Sequence, residues 1–447
     1  MKEELQREKD MLELGEIIRG RVEKIAFGGM GIVRHNGFVL FVPFVAPGDV
    51  ALFRITKKKK SYAYAELVEL EEESLLRKTP RCPWYGKCGG CNMQHIDYGA
   101  QLEIKRDCLK EIFRRLDSSL ISCFPPIFPA ERNWGYRRHV RFHLRFSKGS
   151  FRMGFIGADK TSLIELGYCL IFERSDNGLL NRIRKVISKF TVHGEDTASM
   201  AALKNGKKPD AYILHFAFHR KIPQNFRFVI EEAMKESSFF TGVLASCHNR
   251  EVVIGDPHGA FQLPGGIVAS SSPLAFLQNH PEQSVRIYED ALETILGAQE
   301  KKALDLYCGI SCLGLMLANK GLEVYGVESN SHAVAMARKN AEYNAIENIR
   351  FVCSDVEKAL PELMGGFSSE CIVVNPSRAG LSRTVINTLS HYSPKRILYI
   401  SCMPPTLARD LLFLTSKGYR ISQLQSYDMF PQTSHIETFA HLLRVIT

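Results

Sequence analysis

A regular alternation of strands and helices in the last third of the chain constrains the fold more than any other feature. KKALDLYCG is typical of a strand that ends in a Gly turn, and SCLGLMLANKG of a helix. EVYGVESN and SHAVAMARKNAEYNA repeat this pair, and IRFVCSD, CIVVNP and RILYISC continue the series. Strands that alternate with helices form parallel sheets with helices on both faces. The pattern therefore predicts a mostly parallel, doubly wound, Rossmann-like domain.

The length of 447 residues predicts two to three domains. Short alternating strands from about residue 12 to 75, punctuated by Gly28-Gly29, Asn36-Gly37 and Pro47-Gly48, predict a small closed barrel of about five strands. Lys57 to Lys60 would lie in one of its loops, which suits single-stranded nucleic acid, although an ordinary barrel with a charged turn has the same pattern. We expect a barrel over 1–75, a mixed α/β domain over 76–272 and the Rossmann-like domain over 273–447.

The positive charge is concentrated at the front of the chain. Residues 1–170 hold 29 Lys and Arg against 21 Asp and Glu, which is a net charge of +8. The whole chain has a net charge of +10. This excess favours a polyanionic partner, although a solvated surface would also explain it. In ERNWGYRRHVRFHLRFSKGSFRMGF, residues 131–155, bases alternate with apolar residues, which predicts a strand or hairpin with one basic face. The candidate phosphate-contacting residues are Arg137, Arg138, Arg141, Arg145 and Arg152.

The chain carries no sign of export or of a membrane span. Its first 16 residues are mixed in charge and lack the apolar core of a signal peptide. No run of about 18 apolar residues occurs. Twelve cysteines without a secretory signal indicate a reducing compartment, where thiols act as ligands or nucleophiles. We expect a cytoplasmic protein without a membrane partner.

A candidate cofactor site lies in DLYCGISCLG, residues 305–314, which joins a strand to a helix. Small residues there, Gly309 among them, let backbone N–H groups approach a ligand. Glu328 ends the next strand, where a carboxylate can bind ribose hydroxyls, and Asp355 ends the third, where an acid can meet an adenine amino group. The turn lacks a full G-x-G-x-x-G, so S-adenosylmethionine fits better than a dinucleotide. A generic turn between strand and helix is the alternative.

Two residues near the C-terminus predict the chemistry. Cys402, in YISCMPPTLARD, immediately follows an apolar strand, at the edge where ligands bind in such sheets. Glu437 ends the segment DMFPQTSHIE and lies on HIETFAHLLRVI, the predicted last strand. A thiolate nucleophile and a carboxylate base are the two groups needed to methylate carbon 5 of a pyrimidine.

With these motifs the chain resembles the RNA uracil-5-methyltransferase family over nearly its whole length. The matching segments are YISCMPPTLARD, DMFPQTSHIE, SPLAFLQN, DLYCG, GVE, NPSRAG and CGGCNMQHIDYGAQLEIK, and the predicted barrel resembles the TRAM RNA-binding domain, which is OB-like. The resemblance implies a class I methyltransferase in which Cys402 adds to carbon 6 of uracil and Glu437 removes the proton from carbon 5. It also implies methyl-donor contacts at Gln278, Tyr307, Glu328 and Asn375.

The resemblance also bears on partners and alternatives. Members with both a barrel and a cysteine cluster resemble the ribosomal branch, so 23S ribosomal RNA is the expected partner, with transfer RNA as the alternative. We expect a monomer without an obligate protein partner. The family usually has Asp at position 375 and Gly at position 311, where this chain has Asn375 and Ser311. These departures leave open a catalytically weakened rRNA-binding assembly factor. Nitrogen methylation is a weaker reading of Asn375-Pro376, because no aromatic residue follows and Cys402 would have no role.

Three cysteines in CPWYGKCGGC, residues 82–91, form a separate motif. The spacing of Cys82, Cys88 and Cys91 suits zinc or an iron–sulfur cluster equally, and unliganded cysteines are the third reading. The resemblance favours a [4Fe–4S] cluster, with Cys169 as the fourth ligand. Since the methyl transfer requires no electron, such a cluster would be structural and would order the RNA-binding face.

Overall fold

The computed structural model describes residues 12–445 except 115, 117–123, 148, 173–177, 193, 207, 209, 298–299 and 368. Residues 1–11, most of the stretch examined for a signal peptide, lie outside that part. The chain forms two compact units: Met1–Pro129, Ile156–Ser162 and Phe430–Ile436 make the first, and Ala130–Phe155, Leu163–Met429 and Glu437–Thr447 the second. The sequence-based domain bounds stay predictions. Among the described helices, none is long and apolar enough to cross a membrane.

The first unit begins with the predicted barrel, which closes in the order β1-β2-β3-β5-β4. Its strands are β1 Ile17–Ile25, β2 Gly31–His35, β3 Phe38–Val42, β4 Val50–Lys58 and β5 Tyr62–Glu72. The barrel forms because alternate residues are apolar, so that Val22, Val33, Leu40 and Phe53 fill one core while their neighbours face outward. This confirms the prediction of a five-stranded barrel.

A single described helix, α1 (Tyr98–Phe113), follows the cysteine segment in the first unit. The side chain of Asp97 caps it by accepting from the backbone N–H of Gly99. The apolar stripe of Leu102, Leu109, Ile112, Phe113 and Leu116 in the sequence predicts a helix over 98–116, and the helix ends at Phe113 in the structure. Gln101 on its buried face exchanges hydrogen bonds of 3.1 Å with Gln432, which explains why residues 430–436 belong to this unit.

A seven-stranded sheet forms the first part of the second unit, in the order β12-β11-β10-β9-β6-β7-β8. Its strands are β6 His139–Ser147, β7 Ser150–Ile156, β8 Leu163–Ile164, β9 Asp196–Lys204, β10 Tyr212–Phe218, β11 Phe240–Cys247 and β12 Arg250–Gly255. The accompanying helices are α2 Leu179–Ile187 and α3 Phe226–Glu236. On β6, Phe142 and Leu144 are buried while Arg141 and Arg145 are exposed. The predicted basic and apolar faces are therefore present.

The second unit ends with the doubly wound sheet, in the order β17-β16-β15-β18-β19-β21-β20. The hairpin β13 Gly259–Gln262 and β14 Val268–Ser271 precedes it. Its strands are β15 Lys302–Leu306, β16 Glu323–Glu328, β17 Ile349–Cys353, β18 Cys371–Val374, β19 Arg396–Ser401, β20 Tyr419–Tyr427 and β21 Glu437–Arg444. Its helices are α4 Pro281–Leu296, α5 Cys312–Asn319, α6 Ser331–Tyr343, α7 Val356–Phe367, α8 Arg383–Tyr392 and α9 Pro404–Ser416. β15 to β19 are parallel, as predicted, and β21 runs antiparallel to β19 and β20.

Candidate active site

The residues predicted from the C-terminal pattern lie along one edge of the doubly wound sheet. Glu328 is the last residue of β16, Asn375 directly follows β18 and Cys402 directly follows β19. Asp355 lies two residues after β17. The carboxyl ends of parallel strands form the ligand-binding edge of such sheets. The fold therefore gathers four of the predicted residues at that edge.

The loop after β15 has a backbone suited to close contact with a ligand. Tyr307, Gly309 and Ser311 have φ angles of 60°, 56° and 57°, a left-handed conformation that is costly for residues other than glycine. The N–H of Gly309 donates to one carboxylate oxygen of Glu328 at 3.1 Å, and the N–H of Asn330 donates to the other at 2.8 Å. Glu328 thus ties two loops of the sheet edge together, and its contact with ribose hydroxyls stays a prediction.

Ser311 has a contact that its position in the sequence did not indicate. Its buried hydroxyl donates to a carboxylate oxygen of Asp305 at 2.9 Å. Burial raises the pKa of Asp305 to about 7, and the hydrogen bonds from Ser311 and from the Gly314 backbone oppose that rise. A Cβ at position 314 would lie 2.2 Å from the Ser311 oxygen. The serine therefore serves to satisfy a buried acid, and Gly314 makes room for it.

The other predicted donor contacts are less closely grouped. Gln278 is buried before α4, and its carbonyl accepts from the Arg138 guanidinium at 3.0 Å. The backbone N–H of Asn375 donates to the Leu306 carbonyl at 3.2 Å, which fixes the loop after β18 beside the loop after β15. Asp355 is exposed and forms an ion pair of 3.2 Å with Lys358. Of these residues, Asp355 is the one oriented toward solvent.

Cys402 and Glu437 are neighbours because of strand register. β19 pairs with β21 so that Ser401 stands opposite Thr438, which places the residue after one strand next to the residue that begins the other. Glu437 is 1% exposed, and burial raises its pKa from 4.5 to about 8. Its Oε2 atom has no hydrogen-bond partner among the described residues. A buried carboxyl with a vacant oxygen beside a thiol is equipped to accept a proton.

Arg378 acts on this pair, although its position in the sequence did not predict a role for it. Burial is the main cause that raises the pKa of the Cys402 thiol, and the charge of Glu437 adds to the rise. The charge of Arg378 and a hydrogen bond from its side chain act in the opposite direction. Arg378 therefore favours the thiolate, the form that attacks carbon. The signal was present in NPSRAG, which contains this arginine.

The PPTLARD part of the Cys402 motif positions the loop that carries Arg378. In α9, Thr406 donates to the Arg378 carbonyl at 3.2 Å, and Arg409 donates to the Ala379 carbonyl at 2.9 Å. Asp410, which is fully buried, accepts from the N–H of Leu381 at 2.8 Å. These residues hold the loop after β18 against the helix that follows Cys402. The motif thus contains residues that hold the loop after β18 in place, as well as the nucleophile Cys402.

Two residues near the site depart from the expectations. Arg138, predicted to contact phosphate, is buried: its guanidinium lies over the Phe261 ring, 4.5 Å from the ring centre, besides its bond to Gln278. That prediction is wrong, because the side chain is used inside the unit. Phe276, which the sequence analysis did not single out, is 65% exposed two residues before the buried Gln278. An exposed ring at this place can stack on a base.

The cysteine motif does not form a metal-binding group here. Cys82, Cys88 and Cys91 lie in the first unit, and Cys169 lies in the second, after β8. The charge of Cys82 contributes to the raised pKa of Cys88, after burial, so these two thiols are near each other. Within the part of the chain that the structure describes, no three His, Cys, Asp or Glu side chains are arranged to hold a metal. The iron–sulfur cluster therefore stays a prediction, and the roles of Cys402 and Glu437 do not depend on it.

The fold and site define an S-adenosylmethionine-dependent methyltransferase joined to an RNA-binding barrel. The family model for tRNA (uracil-5-)-methyltransferases matches residues 97–445, and the TRAM domain model of tRNA (uracil(54)-C(5))-methyltransferases matches residues 18–76. The chain therefore belongs to the tRNA (uracil-5-)-methyltransferase family, as the sequence motifs indicated.

Similar proteins agree with this assignment. An RNA methyltransferase of Protochlamydia amoebophila, described as uncharacterized, is 39% identical over 97% of this chain and 99% of its own length. Another from Listeria monocytogenes is 30% identical over 97% and 100%. The Pyrococcus abyssi tRNA (uracil-54, C5)-methyltransferase, solved with S-adenosyl-L-homocysteine, has a TM-score of 0.74 at 26% identity, covering 95% of this chain and all of its own. RNA and S-adenosylmethionine are accordingly the substrate class and the methyl donor.

Proposed function

We propose that the protein methylates carbon 5 of a uridine in RNA through a covalent bond between Cys402 and carbon 6 of the base. The observation that carries this proposal is the register of β19 and β21, which sets the half-buried Cys402 thiol beside the buried carboxyl of Glu437. A thiol and a carboxyl paired in this way, on a methyltransferase sheet, serve the addition and the proton removal that carbon-5 methylation requires.

The residues act in a definite order. The Cys402 thiolate, favoured by Arg378, forms a bond to carbon 6, and the electron pair of the 5,6 double bond moves toward O4. Asn375 at the sheet edge can accept from N3–H of uracil and donate to O4, which stabilises this enolate. The enolate electron pair then forms a bond from carbon 5 to the methyl carbon of S-adenosylmethionine, which the loop after β15 and Glu328 would hold, and S-adenosylhomocysteine is the leaving group. Glu437 then takes the proton from carbon 5, the double bond re-forms and the bond between Cys402 and carbon 6 breaks.

The RNA-facing part of the second unit is proposed from charge and shape. Arg141 and Arg145 are exposed on the same face of β6, where they can contact phosphates without specifying sequence. Arg137 is partly exposed at the start of that face, and Arg152 of β7 forms an ion pair of 2.6 Å with Glu165. Phe276 is placed to stack on a base next to the one that is modified.

The covalent step has a direct test. 5-Fluorouridine carries fluorine in place of hydrogen at carbon 5, so after methyl transfer Glu437 has no proton to remove and the protein should stay trapped as an adduct when methyl donor is present. We expect an adduct with the wild type and none with Cys402→Ala. An adduct of equal yield with Cys402→Ala, or no wild-type adduct with transfer RNA or ribosomal RNA, would contradict the mechanism.

We propose 23S ribosomal RNA as the target, on the joint presence of the barrel and the CPWYGKCGGC motif. Transfer RNA is the second candidate, because the similar Pyrococcus abyssi enzyme is a tRNA methyltransferase. Incubation of the protein with both unmodified RNAs, followed by mapping of 5-methyluridine, distinguishes them. Methylation of transfer RNA alone would overturn the ribosomal assignment and leave the chemistry in place.

The iron–sulfur cluster is a separate proposal, supported by cysteine spacing and by family resemblance. Cys82, Cys88, Cys91 and Cys169 are its proposed ligands, and zinc is the lesser alternative. Protein purified without oxygen should be brown and contain about four irons per chain. Colourless protein with zinc, or with no metal, would refute the cluster and leave the Cys402 mechanism unaffected.

A further inference from the structure

Three aromatic rings form a continuous patch on the outer wall of the barrel. Phe41 of β3 and Tyr62 and Tyr64 of β5 have ring centres 5.7 to 5.9 Å apart, each ring contacting the other two. They face outward because the residues between them, Leu40 and Ala63 among these, fill the barrel core. All three rings are partly exposed. We refer to Phe41, Tyr62 and Tyr64 as the ring patch.

The strand register places lysines beside the ring patch. Phe41 stands opposite Tyr64 across the β3–β5 pair, and Tyr64 stands opposite Lys57 across the β4–β5 pair. The backbone N–H of Lys59 donates to the Tyr62 carbonyl at 2.9 Å. The row of rings on the barrel wall therefore lies beside the end of β4, where Lys57 is exposed, and beside the loop after it, where Lys59 and Lys60 are exposed. The prediction that residues 57–60 lie in a loop is thus wrong for Lys57 and Lys58.

These lysines differ from the arginines of the same barrel. Each barrel arginine is engaged by an acid on the barrel surface: Arg19 with Glu71, Arg21 with Glu72, Arg34 with Glu23 and Arg54 with Glu66. Lys57, Lys59 and Lys60 have no ion pair within the described residues. Their charges are thus available to an anion outside the chain, next to a surface of three rings.

We propose that the ring patch binds two or three unpaired nucleotides of the RNA substrate, with the bases stacked on Phe41, Tyr62 and Tyr64 and the phosphates at Lys57, Lys59 and Lys60. Rings accept any base by stacking, and free lysines attract the backbone, a combination typical of single-strand binding. A duplex keeps its bases stacked on each other and cannot use the rings. The inference rests on the proposed function for RNA as the substrate and adds a site away from the chemistry.

Binding of short RNAs to the full chain tests the proposal. A fluorescent single-stranded U-rich decamer and a duplex of equal length are titrated with protein, and anisotropy is read. Tyr62→Thr/Tyr64→Thr should weaken single-strand binding at least tenfold, since each stacked base contributes about 1–3 kcal/mol, and should leave duplex binding unchanged. Threonine keeps strand propensity, so the barrel should remain folded, as circular dichroism can verify.

Two controls separate ring stacking from other effects. Tyr62→Phe/Tyr64→Phe keeps the rings and should bind as the wild type does. Tyr343→Thr removes a ring that is 69% exposed on α6 and should have no effect. Changing Lys57, Lys59 and Lys60 together to Ala should lower the slope of log affinity against log salt by about 2, since each phosphate contact on a single strand contributes about 0.7.

The outcomes are distinct from those of the proposed function. Equal single-strand binding by wild type and the double Thr variant, or no preference of the wild type for the single strand over the duplex, overturns the ring patch. A Thr variant that loses binding, in a protein whose wild type forms no adduct with 5-fluorouridine RNA, supports the ring patch and overturns the methylation mechanism. If the wild type forms the adduct and the double Thr variant binds the single strand as tightly as the wild type does, the methylation mechanism is supported and the ring patch is overturned.

Discussion

The carboxyl of Glu437 disfavours ionisation of the neighbouring Cys402 thiol. Glu437 is buried, with its pKa raised to about 8, and its charge is among the causes that raise the pKa of Cys402. In the resting enzyme the pair therefore favours its neutral form. Arg378, which bonds to the thiol, shifts the balance toward the thiolate. This arrangement leads to separate predictions for each of the three groups.

Glu437→Gln should separate methyl transfer from product release. The amide cannot accept a proton, so Cys402 should add to the base and the methyl group should reach carbon 5, but the adduct should not resolve. We expect labelled methyl groups to accumulate in a protein–RNA band on a denaturing gel, with free product reduced at least 100-fold. The band should disappear in the double variant with Cys402→Ala. Free methylated RNA at the wild-type rate would remove Glu437 from the mechanism.

The rate should depend on pH through the same carboxyl. Glu437 must be ionised to accept the proton, and with a pKa of about 8 about one tenth of the molecules are in that state at pH 7. We therefore expect the rate at which the methylated adduct resolves to rise about tenfold per pH unit below 8 and to level off above it, provided that the protein stays folded. A flat profile of this step from pH 6 to 8 would show that the carboxyl is already ionised in the adduct.

The same group should make stability depend on pH. A carboxyl whose pKa rises from 4.5 in the unfolded chain to about 8 when folded binds more protons in the folded state between those values. Its contribution therefore becomes less favourable as pH rises from 4.5 to 8 and costs the folded state on the order of 5 kcal/mol above that range. Glu437→Gln should be more stable than the wild type at pH 8.5, and the difference should vanish near pH 4.5. Urea unfolding at the two pH values measures it.

The sequence predicted the strand-end positions of the site residues but not all of the side-chain contacts on which these predictions depend. Strand periodicity and motif placed Cys402, Glu328 and Asn375 at strand ends, and the structure bears out those positions. The role of Arg378 could not be predicted, because a loop motif does not say which atom its side chain reaches. Arg138 was misassigned for a related reason: alternation on a strand indicates a face, while the contacts with Phe261 and Gln278 depend on tertiary packing.

Arg378→Met should slow adduct formation by raising the pKa of Cys402 further. A hydrogen bond to a charged group contributes about 1.5–3 kcal/mol, so the rate at pH 7 should fall about 10- to 100-fold. The fall should appear in the rate of adduct formation at saturating RNA, with the affinity for RNA unchanged. Arg378→Lys should retain part of the activity, and Arg420→Met, at an exposed position on β20, should retain all of it. A weakened affinity for RNA with an unchanged rate at saturation would indicate a role in RNA binding instead.

Ser311→Gly tests whether the serine at this family glycine position is used by the chain. Glycine relieves the left-handed φ of 57°, which favours the variant by about 1 kcal/mol, but it removes the hydrogen bond to the buried Asp305, which costs about 1.5–3 kcal/mol while the acid is ionised. Because the pKa of Asp305 is about 7, we expect net destabilisation of about 1 kcal/mol at pH 8.5 and almost none at pH 6. Ser311→Ala, which keeps the strain and loses the bond, should be less stable than Ser311→Gly at both pH values. Chemical denaturation of the two variants decides the question, and a glycine variant more stable than the wild type at pH 8.5 would show that the Asp305 contact contributes little.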